Sequence, residues 1–252
     1  MASHLAIDFS GQHVHFSLLR HGNVYNTFHT SLNSSKEREN KEQLDIFIKE
    51  NTSLNEDFDE ITLSYATSRS TIVPNNIFDE SGPKGLFKLC FGKDTDDAEI
   101  DYNRISEHSV INLYHIPNWI KSFFVIKYPR IVIQHEGTHL IRQALQQGFK
   151  LKVYALLHAD HFQLSIIKHN EIQYYSAFDY QSHEDLLYHL LFVLQQKELV
   201  DEKGEIMLIQ GSGAQQTILN EFMSHVSKVG DLNKYDVQHS DSFIAKSQLL
   251  CV

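Results

Sequence analysis

Apolar runs that alternate with polar positions are separated along the chain by turn residues, and the order of the runs repeats. Leu5 to Phe9 reads as a strand and Val14 to Arg20 as a second, with Ser10-Gly11-Gln12-His13 as the turn between them. His21-Gly22-Asn23 then turns the chain into a third strand near Val24 to His29. Ser34 to Asn51 is highly charged with Leu44, Phe47 and Ile48 at helical spacing, which predicts a surface helix carrying one apolar stripe. Glu60 to Tyr65 is the next strand. The second half gives strands at Lys152 to Leu157, Phe162 to Lys168 and Ile172 to Ala177, a helix at Glu184 to Gln196, a strand at Glu205 to Gln210 and a helix at Ala214 to Met223. Leu186 to Leu194 is apolar on nearly all sides, so the second-half helix is expected to be much more buried than its counterpart.

The repetition extends to the residues. Phe16-Ser17-Leu18-Leu19-Arg20-His21-Gly22-Asn23-Val24 aligns with Leu164-Ser165-Ile166-Ile167-Lys168-His169-Asn170-Glu171-Ile172, 148 positions later. Ile61-Thr62-Leu63-Ser64-Tyr65-Ala66-Thr67 aligns with Ile206-Met207-Leu208-Ile209-Gln210-Gly211-Ser212 at an offset of 145. Two blocks in the same order indicate an internal duplication, with copies spanning 1–148 and 149–252. Between them, Pro74 to Asn118 carries Gly82-Pro83, Gly85, Gly92 and an acidic cluster from Asp94 to Asp101, and reads as an insertion of short helices and loops. A helix at Ile116 to Phe124, a strand at Pro129 to Gln134 and a crossover helix at Gly137 to Gln147 complete an α/β pattern of mixed sheets flanked by helices.

Composition narrows the function classes. Of 252 residues, 22 are Lys or Arg against 32 Asp or Glu, and a net charge of -10 disfavours attraction to nucleic-acid phosphates or anionic lipid. Cys90 and Cys251 alone imply neither a disulfide framework nor a cysteine zinc site. No signal-peptide pattern precedes Leu5-Ala6-Ile7-Asp8-Phe9 and no run of 18 apolar residues occurs, so a soluble cytoplasmic protein is expected, with no nucleic-acid or membrane partner.

A repeated three-strand meander followed by helix, strand and helix resembles the actin, Hsp70 and sugar-kinase superfamily, in which two ribonuclease-H-like halves face each other across a nucleotide cleft. The block from Tyr175-Ser176-Ala177-Phe178-Asp179-Tyr180-Gln181-Ser182-His183-Glu184-Asp185 through Tyr188 to Gln196 resembles, more closely, an uncharacterised Bacteroidetes family linked to the actin-like ATPase fold. The resemblance covers nearly the whole chain and implies a fold without an established activity.

Nucleotide-hydrolysing members of that superfamily place an Asp and a Gly-rich turn after the first strand of each half, so that backbone N–H groups cradle phosphates and carboxylates hold hydrated Mg²⁺. Asp8 stands at the first Asp position, with Ser10 at the usual glycine and Gly11 one residue later. In the second copy Leu156 falls opposite Asp8, and Leu157-His158-Ala159-Asp160-His161 has no glycine, so side chains would crowd a phosphate there. Gly211-Ser212-Gly213 resembles the glycine turn on the adenosine side. The candidate cofactor-binding residues are therefore Asp8, Gly11, Gly211 and Gly213, for ATP with Mg²⁺. The eroded turns favour a non-catalytic binding or scaffold module with a degenerate cleft and a protein partner. The alternative is a weak ATP-binding protein, ATPase or small-molecule kinase using Asp8 with Asp160.

A second motif competes. His135-Glu136-Gly137-Thr138-His139 matches H-E-x-x-H, which on one continuous helix places two histidines to ligate Zn²⁺ and a glutamate to activate water. The strand predicted up to His135 and Gly137 in the helix interior both argue against that context. The 16 histidines also form close pairs, His13 with His15, His158 with His161 and His183 with His189, which read as half-buried or surface polar residues.

Overall fold

The computed structural model describes residues 3–92, 98–146, 150–226, 228–240 and 243–251. The first half opens with an antiparallel meander of β1 (Ser3–Ser10), β2 (His13–Arg20) and β3 (Asn23–Ser31), followed by α1 (Glu37–Glu50) and β4 (Glu60–Ala66). Then come β5 (Ser70–Pro74), α2 (Pro83–Phe91), β6 (Ala98–Ile105), β7 (Val110–Pro117), α3 (Asn118–Lys127), β8 (Val132–His135) and α4 (Glu136–Leu145). The second half comprises β9 (Leu151–Leu157), β10 (His161–Lys168), β11 (Glu171–Asp179), α5 (His183–Gln196), β12 (Gly204–Gln210), α6 (Gln216–Val226), β13 (Tyr235–Ser240) and α7 (Phe243–Ser247).

Two five-stranded sheets share one topology, β3-β2-β1-β4-β8 and β11-β10-β9-β12-β13. The correspondence reaches single residues. Leu5 pairs with Ile61 in the parallel β1–β4 ladder, and their counterparts Val153 and Ile206 pair in the β9–β12 ladder. The register slips between Leu18 and Leu19 in one sheet and between the equivalent Ile166 and Ile167 in the other. Both hairpins turn through consecutive left-handed residues, His21 and Gly22 in the first copy and His169 and Asn170 in the second. The 148/149 boundary read from the repeat falls at residues 148 and 149, outside the described residues.

Each sheet buries both faces. On one face of the first, Leu5, Ile7 and Phe9 of β1 pack with Leu44 and Ile48 of α1 and Ile120 and Phe124 of α3. The second sheet does the same with Leu186, Leu190, Val193 and Leu194 of α5 and Leu219 and Phe222 of α6. Helix α5 thus buries more than α1, and a capping box between Ser182 and Asp185 fixes its start. It is not apolar-buried all round, because Tyr188 and Phe192 stand on its solvent face.

The inner faces of the two sheets meet across α4 and α7, which contact each other. Leu140, Ile141 and Ala144 of α4 and Ile244 of α7 pack on Tyr154, Leu156, Ile167 and Ile209 of the second sheet. On the first sheet's inner face, His4 Nε2 donates to Thr62 Oγ1 at 2.8 Å, and Thr62 donates to Gln248 Oε1 at 2.5 Å.

The inserted stretch corrects the sequence expectation of short helices and loops. Strands β6 and β7 run antiparallel, and β5 joins them in a third, three-stranded sheet covered by α2. The alternation was obscured because β6 and β7 turn Asn103 and Asn112 inward, where both bond the start of α4. Glu99 and Asp101 of the acidic cluster both pair with Lys121 at 2.8 Å, whereas Asp94, Asp96 and Asp97 lie outside the described residues.

Candidate functional site

The carboxyl ends of β1, β9 and β12 converge at the centre of the molecule, each delivering a turn. Asp8 lies on the inner face of β1 because the alternate residues Ile7 and Phe9 are taken by the outer core. Its Oδ2 accepts a 2.6 Å hydrogen bond from Ser212 Oγ in the β12 turn. Ser10, at the end of β1, places its hydroxyl 2.8 Å from Nδ1 of His158 in the β9 turn. The two halves are joined here by direct contacts between their turns.

His158 is the hub. Its backbone N–H donates to the His161 carbonyl at 2.8 Å, and the Tyr180 hydroxyl donates to the His158 carbonyl, fixing the turn. The fully buried ring stacks on His161, with centroids 4.7 Å apart. Nε2 lies 2.7 Å from Glu136 Oε1, and Nδ1 also faces the Ser212 carbonyl at 3.4 Å. Burial alone would lower the pKa of this imidazole, but the charge and hydrogen bond of Glu136, then Asp8 and the Ser212 carbonyl, hold it above its ordinary value. The geometry describes an imidazole ring clamped between a carboxyl group and a hydroxyl.

Glu136 is the first residue of α4, where the helix dipole favours a carboxylate. The residue is fully buried, and Gln163 Nε2 donates to the same Oε1 at 2.6 Å. Gln163 is held in turn by the Tyr175 hydroxyl, which donates to its Oε1 at 3.0 Å and stands 3.0 Å from Ser70 Oγ. Gly137 makes room for this: a Cβ there would stand 2.0 Å from the Tyr175 hydroxyl. Hydrogen bonds therefore run from Ser70 on the third sheet through Tyr175, Gln163, Glu136 and His158 to Ser10.

Beside Asp8 a cavity of about 400 Å³ opens between the first sheet, the β12 turn and α7. Its wall includes His15, Ser17 and Thr27 from the sheet, Gln210, Gly211 and Ser212 from the turn, and Val24, Ile244 and Ala245. Asp8 has its pKa raised to about 7, by burial first and by Glu136 second, against the opposing pull of Ser212 and His158. His15 is pushed below its ordinary value by burial and by His29 and His13.

Of the four residues predicted to hold a nucleotide, Asp8 and Gly211 line this cavity, and Gly11 and Gly213 do not. Gly11 is an exposed left-handed turn residue with nothing near its Cβ position. Gly213 is also left-handed, and a Cβ on it would meet the His13 ring at 2.8 Å and Ala159 at 3.2 Å. At Gly211 a Cβ would meet the His158 ring at 2.5 Å. These two glycines admit histidine rings of the protein itself.

Asp160 is not the acidic partner of Asp8. Its carboxylate turns outward to His161 Nδ1 at 2.8 Å and its side chain is 86% exposed. The H-E-x-x-H match likewise does not form the helical metal pair. His135 precedes α4 as its N-cap, where Nδ1 accepts from Gly137 N–H at 3.0 Å and lies 3.1 Å from Asn112 Nδ2. Nε2 faces the Thr67 carbonyl at 3.2 Å, so both ring nitrogens are committed to the fold. Glu136 serves His158, and no group of three or more metal-ligating side chains occurs among the described residues. Of the other histidine pairs, His183 and His189 part, His183 packing on His225 and His189 on Phe178, whereas His158 and His161 stack on each other in the interior.

The sequence marks His158 only as a turn residue and as a half-buried or surface partner of His161, whereas it is fully buried, and a signal for its role is nonetheless present. The 148-residue offset sets Ser10 opposite His158, and these equivalent positions bond each other. Gln163 and Tyr175 carried no comparable mark.

Comparisons agree with this architecture. The profile of a family described as "Protein of unknown function (DUF3822)" matches residues 2–229. A search of curated proteins finds no match. Among solved structures, a protein of unknown function with an actin-like ATPase fold from Bacteroides thetaiotaomicron superposes with a TM-score of 0.83 at 20% identity, covering 99% of this chain and 96% of that one. A PilM–PilN type IV pilus biogenesis complex gives 0.57 at 8% identity over 96% and 89% of the two chains. The ethanolamine utilization protein EutJ from Carboxydothermus hydrogenoformans gives 0.51 at 9% identity over 99% and 88%. The fold is that of the actin-like ATPases; identities this low carry no activity across.

Proposed function

Since the chain belongs to the DUF3822 family of proteins of unknown function, its role has to be argued from its cleft, and we propose that it is a non-catalytic binding module. The observation that carries this reading is the His158 ring among the three turns, held by Glu136 at 2.7 Å and Ser10 at 2.8 Å. A polyphosphate needs open backbone N–H groups and room between the turns. Here the ring fills that room, Gly213 is packed by His13, and Leu156 gives no second carboxylate for a hydrated Mg²⁺. Asp8 gives one carboxylate oxygen to Ser212, so a hydrated cation carrying a polyphosphate would find a single carboxylate oxygen there and, among the described lining residues, no second acidic side chain to share it.

The occupant of such a module in the proposed role is a protein partner, a use of this fold for which the PilM–PilN complex is a precedent. No helix among the described residues is long and apolar enough to cross a membrane. The proposal places the protein in the cytoplasm.

A weak ATP-binding protein is the second reading, favoured by the cavity that remains beside Asp8 and Gly211. Calorimetric titration of the full chain with Mg-ATP and Mg-ADP separates the two. The binding-module reading expects no saturable heat at micromolar nucleotide. Micromolar binding would overturn it, and ATP turnover lost in Asp8→Ala would establish an enzyme.

A further inference from the structure

The Asp8 cavity has a charge pattern of its own. None of its described lining residues is Lys or Arg. A carboxylate can accept about four hydrogen bonds, and Asp8 accepts one on Oδ2 while Oδ1 has no partner among the described residues. Both nitrogens of the His158 ring are turned to the protein, to Glu136 on one side and to Ser10 and the Ser212 carbonyl on the other, so neither is available to a guest.

The walls are equally specific. Sheet register sets His15 beside Asp8, and Ser17 beside Thr27 one row along, all on the inner face. Val24 of β3 and Ile244 of α7 supply the apolar part of the lining. An anionic guest would meet the Asp8 carboxylate with no described Lys or Arg in the lining to offset it, and a purely apolar guest would leave that carboxylate as underbonded as before. A primary ammonium brings three donors and one positive charge, which suits a carboxylate flanked by hydroxyls.

We infer that this cavity binds a small organic cation, a primary alkylammonium group held by Asp8 with its short aliphatic part against Val24 and Ile244. The inference rests on the reading that the cleft holds no nucleotide polyphosphate. It adds a ligand class to that site.

The full chain is titrated by calorimetry with n-butylammonium, n-butanol and inorganic phosphate. Saturable binding is expected for n-butylammonium alone. Asp8→Asn, which keeps the shape and the Ser212 contact, is expected to weaken binding about tenfold or more. Ala245→Phe, which fills the cavity from α7, is expected to abolish it. Binding is also expected to tighten as pH rises through about 7, where Asp8 ionises, with Glu136 on α4, His158 in the β9 turn and His15 on β2 as the titratable groups facing it.

Equal binding of n-butanol, preference for phosphate, or unchanged affinity in both variants overturns the inference. Should Asp8→Asn fail to fold, Ala245→Phe alone decides it. Mg-ATP that competes with n-butylammonium sinks the binding-module reading and this inference together. Failure of both ligands to bind sinks the ammonium site and leaves that reading standing.

Discussion

Removing the His158 ring takes a hydrogen-bond partner from the buried Glu136 carboxyl. Leaving such a buried group underbonded costs about 1–3 kcal/mol and the lost ring leaves a cavity besides, so His158→Ala is expected to lose at least that much stability in chemical denaturation. Ser10→Ala removes one hydroxyl bond to the same ring and is expected to cost about 1 kcal/mol. A His158→Ala loss no larger than that of Ser10→Ala would refute the clamp. Asp8 makes a prediction of opposite sign. Its folded pKa is raised from 3.8 to about 7, so between those values the folded state holds a proton that the unfolded chain has released, and stability falls as pH rises across the window. Asp8→Asn abolishes that slope, and its stability relative to the parent is expected to be greater at pH 8 than at pH 4, read from paired denaturation curves.

Helix α4 is the element on which the site depends. Its cap is His135, its first residue Glu136 and its second Gly137, so three adjacent positions serve the cap, the clamp and the passage of Tyr175. Gly137→Ala forces the Tyr175 hydroxyl off Gln163 and is expected to cost about 1–3 kcal/mol through overpacking, despite the better helix propensity of alanine. A stabilised variant would mean that Tyr175 moves freely. Much of this scale was legible in the sequence. The meanders, α1, α5 and the glycine turn after β12 follow from apolar spacing and turn residues, because those signals are local. Strands β6 and β7 were not legible, since Asn103 and Asn112 occupy inward positions for the sake of His135 and Thr138, partners 23 to 35 residues away. Glu136 stood out only as part of a metal motif, because nothing local shows that its partners are Gln163 and His158.

The whole molecule should report its buried imidazoles in its pH profile. His135 and His139 are pushed down to about 3 and His4 to about 4, all by burial first. The unfolded chain takes up protons on them below its ordinary histidine pKa, so their contribution grows as pH rises from about 3 to about 6.5 and is complete above it. His158 and Asp8, both raised, lose stability as pH rises through their folded values. The opposed slopes predict greatest stability at about pH 6.5 to 7, checked by melting temperatures across pH 4 to 9. A profile still rising at pH 9 would contradict the assignment.

The Ser10–His158 contact carries a consequence of symmetry. The two residues occupy the same position in the two copies, so they lie across the axis relating one half to the other. In a pair of identical chains that axis would set serine against serine or histidine against histidine. A serine facing a histidine there requires two units that are not interchangeable. Separately expressed halves are accordingly expected to bind their complement in preference to themselves.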